Sequence, residues 1–249
     1  MRTELSVNVN AIAFLRNRRD LPWPSVVDLS RIALEAGAVG ITVHPRPDER
    51  HIRSHDVDDL ATLLEEPQFA DKEFNIEGYP DERFLALVEK YTPDQVTFVP
   101  DDPAQATSDH GWDILPNKTL LESAITRCKA KAMRVALFID PDPVVPGFAK
   151  MVGADRVEIF TGPYGDTHAH GGDFKPGLQA IAETAKAAAD VGLAVNAGHD
   201  LTVANLPGLI KAAPNIAEVS IGHGLTADAL TYGMKQTVIR FIEALQQES

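Results

Sequence analysis

Three histidines and two glutamates fall at or near the ends of short β-branched runs. They are His44 in GITVHP (40–45), Glu77 in EFNIEG (73–78), Glu158 in RVEIFTG (156–162), His199 in AVNAGH (194–199) and His223 in EVSIGH (218–223). Imidazole exchanges protons near neutral pH without a large shift. A carboxyl drawn into a partly dry cleft has its pKa raised toward the same range. One histidine so placed is more often structural, but a set of five titratable groups is hard to explain that way. The set predicts several proton transfers, as a condensation or an isomerisation needs. None of the ten lysines ends a run, so an imine between enzyme and substrate is not expected. If an imine forms, the substrate brings the amine.

Anion binding is the second chemistry the residues suggest. AGHDLT and IGHGLT share G-H-x-L-T, and each is expected to open a helix whose N-terminus favours negative charge. Turn glycines with a capping Asp200 or Thr202 are the plainer alternative. Arg16, Arg18 and Arg19 follow the first run, and Arg46, Arg50 and Arg53 follow the second. Their clustering predicts a second anion site on the same rim. The pair His168-x-His170 lies in the Gly-rich THAHGGD and is read as a solvated loop rather than a metal site. The H-x-H of metal-dependent barrel hydrolases is replaced by Asn8-Val9-Asn10, while a metal held by Glu77, Glu158 and His199 stays open.

These residues need a scaffold that brings strand ends together. Eight runs read as strands: 5–10, 40–45, 73–78, 95–100, 134–140, 156–162, 194–199 and 218–223. Helical stretches are expected over Pro24–Glu35, Asp81–Tyr91, Thr119–Lys131, Lys175–Val191 and Leu225–Gln247. Alternation of this kind predicts parallel strands with right-handed crossovers. The 249 residues match one barrel domain of roughly 250 residues. The expectation is α/β, a (β/α)8 TIM barrel with extra helices, as one domain over 1–249. No G-x-G-x-x-G follows the first run, which argues against a doubly wound sheet. Irregular segments at 100–117 and 161–174 should lie over the site.

Composition narrows the setting. A net charge of −13 argues against a nucleic-acid surface, and the one cysteine, Cys128, excludes a disulfide framework. No run nears the ~18 apolar residues of a membrane span, and no leader is evident, so a cytoplasmic protein is expected.

At this point VNVNAIAFLRNRR, GITVHPRPDERHI, FNIEG, VEIFTG, NAGHDLT and IGHG, in this order, resemble the pyridoxine 5′-phosphate synthase family over nearly the whole chain. The resemblance implies a homo-octamer built from dimers, with no metal and no organic cofactor. It implies condensation of 1-deoxy-D-xylulose 5-phosphate with 3-amino-2-oxopropyl phosphate, giving pyridoxine 5′-phosphate, phosphate and water. By motif position it makes His44 and Glu77 proton acceptors, His199 the proton donor and Glu158 a stabiliser of the transition state. Asn8, Asn10 and Arg19 would hold the amino-ketone, and Asp200 (by its amide), Gly222 and His223 its phosphate. Arg46, His51 and Thr107 would hold the deoxyxylulose phosphate, with Thr107 in a lid.

Two departures stand out. Asn10-Ala11 replaces a common Asp-His, so Asn10 must act alone, and Asp200 stands where glycine is frequent. The Asp200 side chain is expected to turn from the phosphate and cap the next helix. Two other functions fit the same rim: another phosphosugar isomerase or lyase, and a binding protein that kept only its phosphate sites.

Overall fold

The computed structural model describes residues 2–101 and 108–246, so Thr107 lies outside the described residues. Eight parallel strands close into a barrel in chain order, β8 pairing back onto β1. They are β1 (Glu4–Asn8), β2 (Gly40–Val43), β3 (Glu73–Gly78), β4 (Gln95–Phe98), β5 (Arg134–Ile139), β6 (Arg156–Phe160), β7 (Ala194–Gly198) and β8 (Ile216–Ile221). The helices are α1 (Asn10–Arg16), α2 (Val26–Glu35), α3 (Ser54–Leu64), α4 (Glu82–Tyr91), α5 (Lys118–Lys129), α6 (Val145–Met151), α7 (Gly162–Ala169), α8 (Lys175–Asp190), α9 (Leu206–Ala212), α10 (His223–Tyr232) and α11 (Met234–Ala244).

The strands are buried on both faces, and the two faces differ in kind. Leu5, Val7, Ile41, Ile76, Val96, Leu137, Val157, Val195 and Val219 join helix residues such as Leu60, Val88, Leu121 and Phe241 in one core between barrel and helices. Deleting one of these side chains, as in Leu60→Ala, costs about 2–5 kcal/mol. The alternate residues are mostly polar, with Ala136 and Phe138 of β5 and Phe160 of β6 the apolar exceptions. Ser6 Oγ lies 2.8 Å from Thr42 Oγ1, Asn75 donates to Thr42 at 3.4 Å, and Thr97 donates to Asn75 at 3.1 Å. Opposite, Arg156 donates to Asn196 at 3.1 Å and Asn196 to Glu218 at 3.2 Å. Branched aliphatic side chains dominate this layer in most barrels; here hydroxyls and amides bond one another instead.

Several boundaries differ from the sequence reading. The first strand stops at Asn8, so Asn10 opens α1; the last stops at Ile221, so His223 opens α10. Segment 161–174 is not irregular: it contains α7, anchored by buried Tyr164, whose hydroxyl donates to the Asn205 carbonyl at 2.7 Å. Its Gly and Pro residues read as turn signals, yet proline is acceptable in a first helical turn. The same Pro-Gly pairing hid α6 and α9. The expected closing helix is broken in two at Gly233 (φ 76°), a backbone angle that suits glycine.

Candidate active site

Strand ends deliver the predicted groups to one mouth. His44 directly follows β2, and its backbone N–H donates to Asn10 Oδ1 at 2.9 Å. The Asn10 N–H in turn donates to Asn8 Oδ1 at 3.0 Å, so the end of β1 fixes the end of β2. The His44 Nδ1 atom faces Glu77 Oε2 at 3.7 Å, and both side chains are buried. Its Nε2 lies 2.7 Å from Asp101 Oδ2, which is also 2.9 Å from the Arg46 guanidinium. His51 stacks edge-on to His44 with ring centroids 6.2 Å apart.

Burial sets the electrostatics here. It drives the Glu77 carboxyl well above its ordinary value, and the nearby Glu158, Asp101 and Glu218 push the same way. Burial raises Glu158 to about 7. One Glu158 oxygen, Oε2, has no hydrogen-bond partner among the described residues. His51 is lowered to about 3 by burial and by His44, Arg46 and Arg50, so it stays neutral. For Asp101, burial raises the carboxyl, but His44, Ser108 and Arg46 outweigh it and hold it below its ordinary value.

Glu158 lies in β6 beside β7, and Gly198 is the reason it fits. A Cβ at position 198 would sit 2.5 Å from Glu158 Oε1. The next residue, His199, packs between Phe138 and Phe160 at centroid distances of 5.3 and 5.2 Å. This burial lowers its imidazole below the usual range, partly offset by Asp200. His199 (φ 84°) and Asp200 (φ 54°) are consecutive non-glycine residues with positive φ. Backbone held this way costs about 1–3 kcal/mol per residue and recurs at functional sites. The Thr161 hydroxyl, 2.6 Å from the carbonyls of both Gly198 and His199, braces the turn.

The anion features are only partly as expected. IGHGLT does open α10 at His223, but AGHDLT leads into a turn, and the seven-residue α9 starts only at Leu206. Asp200 does not cap that helix. Asn205 binds the turn instead, accepting from the Thr202 N–H at 2.8 Å and donating to the Asp200 carbonyl at 2.9 Å. The two loops touch, because a Cβ on Gly224 would meet the Leu201 carbonyl at 2.5 Å. Gly222 packs on Asn8, whose Oδ1 would lie 3.1 Å from a Cβ there.

The six arginines do not form a single rim cluster. Arg16 is buried against Asp56, Arg50 pairs with Asp48 at 2.7 Å, and Arg18 lies over the Phe14 ring. Arg53 leads into α3, its backbone N–H donating to Asp56. Arg46 reaches the His44 group and Arg50 acts on His51 electrostatically; Arg19 is exposed on the turn after α1. His168 packs against Tyr164 and Phe174, and His170 pairs with Asp166.

Sequence reading missed Asp101, Ser108 and the two phenylalanines around His199. Asp101 could have been found as the first acid beyond the β4 run.

Comparisons with known proteins identify the family. A family model described as pyridoxal phosphate biosynthesis protein PdxJ matches residues 5–247. Pyridoxine 5′-phosphate synthase of Brucella abortus (strain S19) is 59% identical over 245 residues, covering 98% of this chain and 99% of the relative. The protein of the same name from Brucella anthropi is 58% identical, covering 98% and 100%. A ligand-free tryptophan synthase structure from M. tuberculosis superposes with a TM-score of 0.62 at 13% identity, covering 99% of this chain and 94% of that one, a likeness of fold alone. With its barrel, its mouth of imidazoles and carboxyls, and a family match spanning nearly every residue, the chain belongs to the pyridoxal phosphate biosynthesis protein PdxJ family.

Proposed function

We propose that this protein is a pyridoxine 5′-phosphate synthase, condensing 1-deoxy-D-xylulose 5-phosphate with 3-amino-2-oxopropyl phosphate by acid/base catalysis. The observation that carries the reading is the buried His44–Glu77 pair, 3.7 Å apart at the barrel mouth. A raised Glu77 carboxyl, once ionised, is a strong base for a carbon acid or an ammonium. His44 is the second acceptor. His199, whose imidazolium is made more acidic by its apolar seat, returns a proton to a leaving oxygen. Glu158, poised near neutrality, faces cationic intermediates that form when the substrate amine meets a carbonyl.

The first turn of α10, with Gly222 and His223 and the amide at Asp200, receives one phosphate, where backbone N–H groups and the helix dipole favour negative charge. Asn8, Asn10 and Arg19 hold the amino-ketone. Arg46, His51 and Thr107 receive the deoxyxylulose phosphate. No metal and no organic cofactor takes part. The exposed Phe14, Trp23, Leu230 and Tyr232 fit burial in a homo-octamer built from dimers. No helix among the described residues is long and apolar enough to cross a membrane, which fits cytoplasmic work on small phosphorylated substrates.

The test is direct: mix purified protein with both substrates and follow pyridoxine 5′-phosphate spectroscopically. Formation of product supports the reading. Isomerisation or cleavage of one substrate alone, or binding without turnover, overturns it.

A further inference from the structure

Asp101 lies just beyond β4 and has been given no part in the chemistry. Its carboxylate nevertheless touches three groups. Oδ2 is 2.7 Å from His44 Nε2 and 2.9 Å from Arg46, and Oδ1 accepts the Ser108 hydroxyl at 2.8 Å. The opposite nitrogen of the same imidazole, Nδ1, faces Glu77. The His44 backbone is pinned separately by Asn10. The ring is therefore held between two carboxyls of different character: Asp101, kept below its ordinary value by His44 itself and then by Ser108 and Arg46, and Glu77, driven toward its neutral form by burial.

We propose that Asp101 is a positioning residue for His44: it keeps the ring proton on Nε2 and leaves the Nδ1 lone pair as the working base toward Glu77 and the mouth. A neutral imidazole carries one N–H, and a carboxylate beside one nitrogen selects which nitrogen that is. When Nδ1 takes a proton the ring becomes a cation, and Asp101 supplies the counter-charge without taking the proton itself. The proton gained at Nδ1 leaves later to substrate or water, and no other bond changes. Arg46 has a consistent part: it shares Oδ2, holds Asp101 ionised and in place, and thereby ties the expected sugar-phosphate ligand to the state of the base.

This assignment rests on the reading of His44 as a proton acceptor, and two measurements separate the two claims. The first needs no turnover. In unliganded protein labelled with 15N-histidine, two-bond 1H–15N correlations near pH 8, with H44Q identifying the signal, report the tautomer of His44. Nε2–H is expected, and Nδ1–H or an even mixture overturns the proposal even if the enzyme makes product. D101N, which keeps the shape and removes the charge, should move the same signals toward the mixture; unchanged signals also overturn it.

The second measurement is kinetic. D101N should lower kcat by roughly 100-fold with KM for the sugar phosphate unchanged or lower, and D101E should recover part of the loss. A raised KM at unchanged kcat would make Asp101 only a counter-ion of Arg46 and refute the positioning role. Should D101N fail to fold, the wild-type tautomer alone decides. Absence of product from the wild type would sink the proposed function and leave the tautomer result standing.

Discussion

Replacing Glu158 by glutamine should stabilise the protein above neutral pH and disable it. The wild-type carboxyl is buried and moved from an ordinary 4.5 to about 7. Between those values the folded protein holds a proton that the unfolded chain releases. Stability therefore falls as pH rises through that window, and the loss is complete above about pH 7. Each pKa unit is worth about 1.4 kcal/mol, so the ionised side chain costs the fold about 3 kcal/mol at pH 8. Glutamine does not titrate. The extra stability of E158Q should be about 3 kcal/mol greater at pH 8 than at pH 4.5, roughly 6–12 °C in melting temperature for a chain of this length. Urea unfolding at both pH values, at fixed protein concentration because assembly adds to apparent stability, reads the difference. Any constant cost of burying an amide cancels between the two. A difference independent of pH would show that Glu158 is not the strained acid described here.

Other outcomes follow from the same geometry. H44A should lower kcat by about 100-fold or more while substrate binding measured by calorimetry persists; an unchanged rate would remove His44 from the chemistry. G198A should displace Glu158, because the new methyl falls on its Oε1, and turnover should drop with a stability loss of about 1–3 kcal/mol. A crystal structure with Glu158 unmoved would contradict that cause. R16M leaves the Asp56 carboxylate buried without its partner and should cost about 3–5 kcal/mol in denaturant unfolding; a loss under 1 kcal/mol would mean that water already reaches the pair.

The barrel was legible because its period is local. Runs such as RVALFI and EFNIEG carry enough β-branched and aromatic residues to mark strands, and long amphipathic helices such as α8 mark the crossovers. Short helices escaped because Pro163, Pro146 and Pro207 in their first turns look like breakers until a tertiary anchor such as Tyr164 is known. That His44 and Glu77 would share one mouth was expected from strand ends alone; their contact at 3.7 Å was not. Nor was the dispersal of the arginines, since nothing local says that Asp56, forty residues away in sequence, will take up Arg16. Asp101 stood in view as the first acid beyond the β4 run, but its partner His44, across the barrel mouth at the end of β2, is not encoded in any spacing.

The hydroxyl and amide lattice inside the barrel has a consequence for how this molecule fails. In most barrels branched aliphatic side chains fill the cylinder and hold the strands together from within. Here the inner wall is mostly polar, so peeling α3 or α8 away would bare the apolar outer face of the strands while the hydroxyls and amides within supply little hydrophobic hold of their own. Melting should accordingly be abrupt, with the cylinder and its jacket lost together and no partly collapsed remnant.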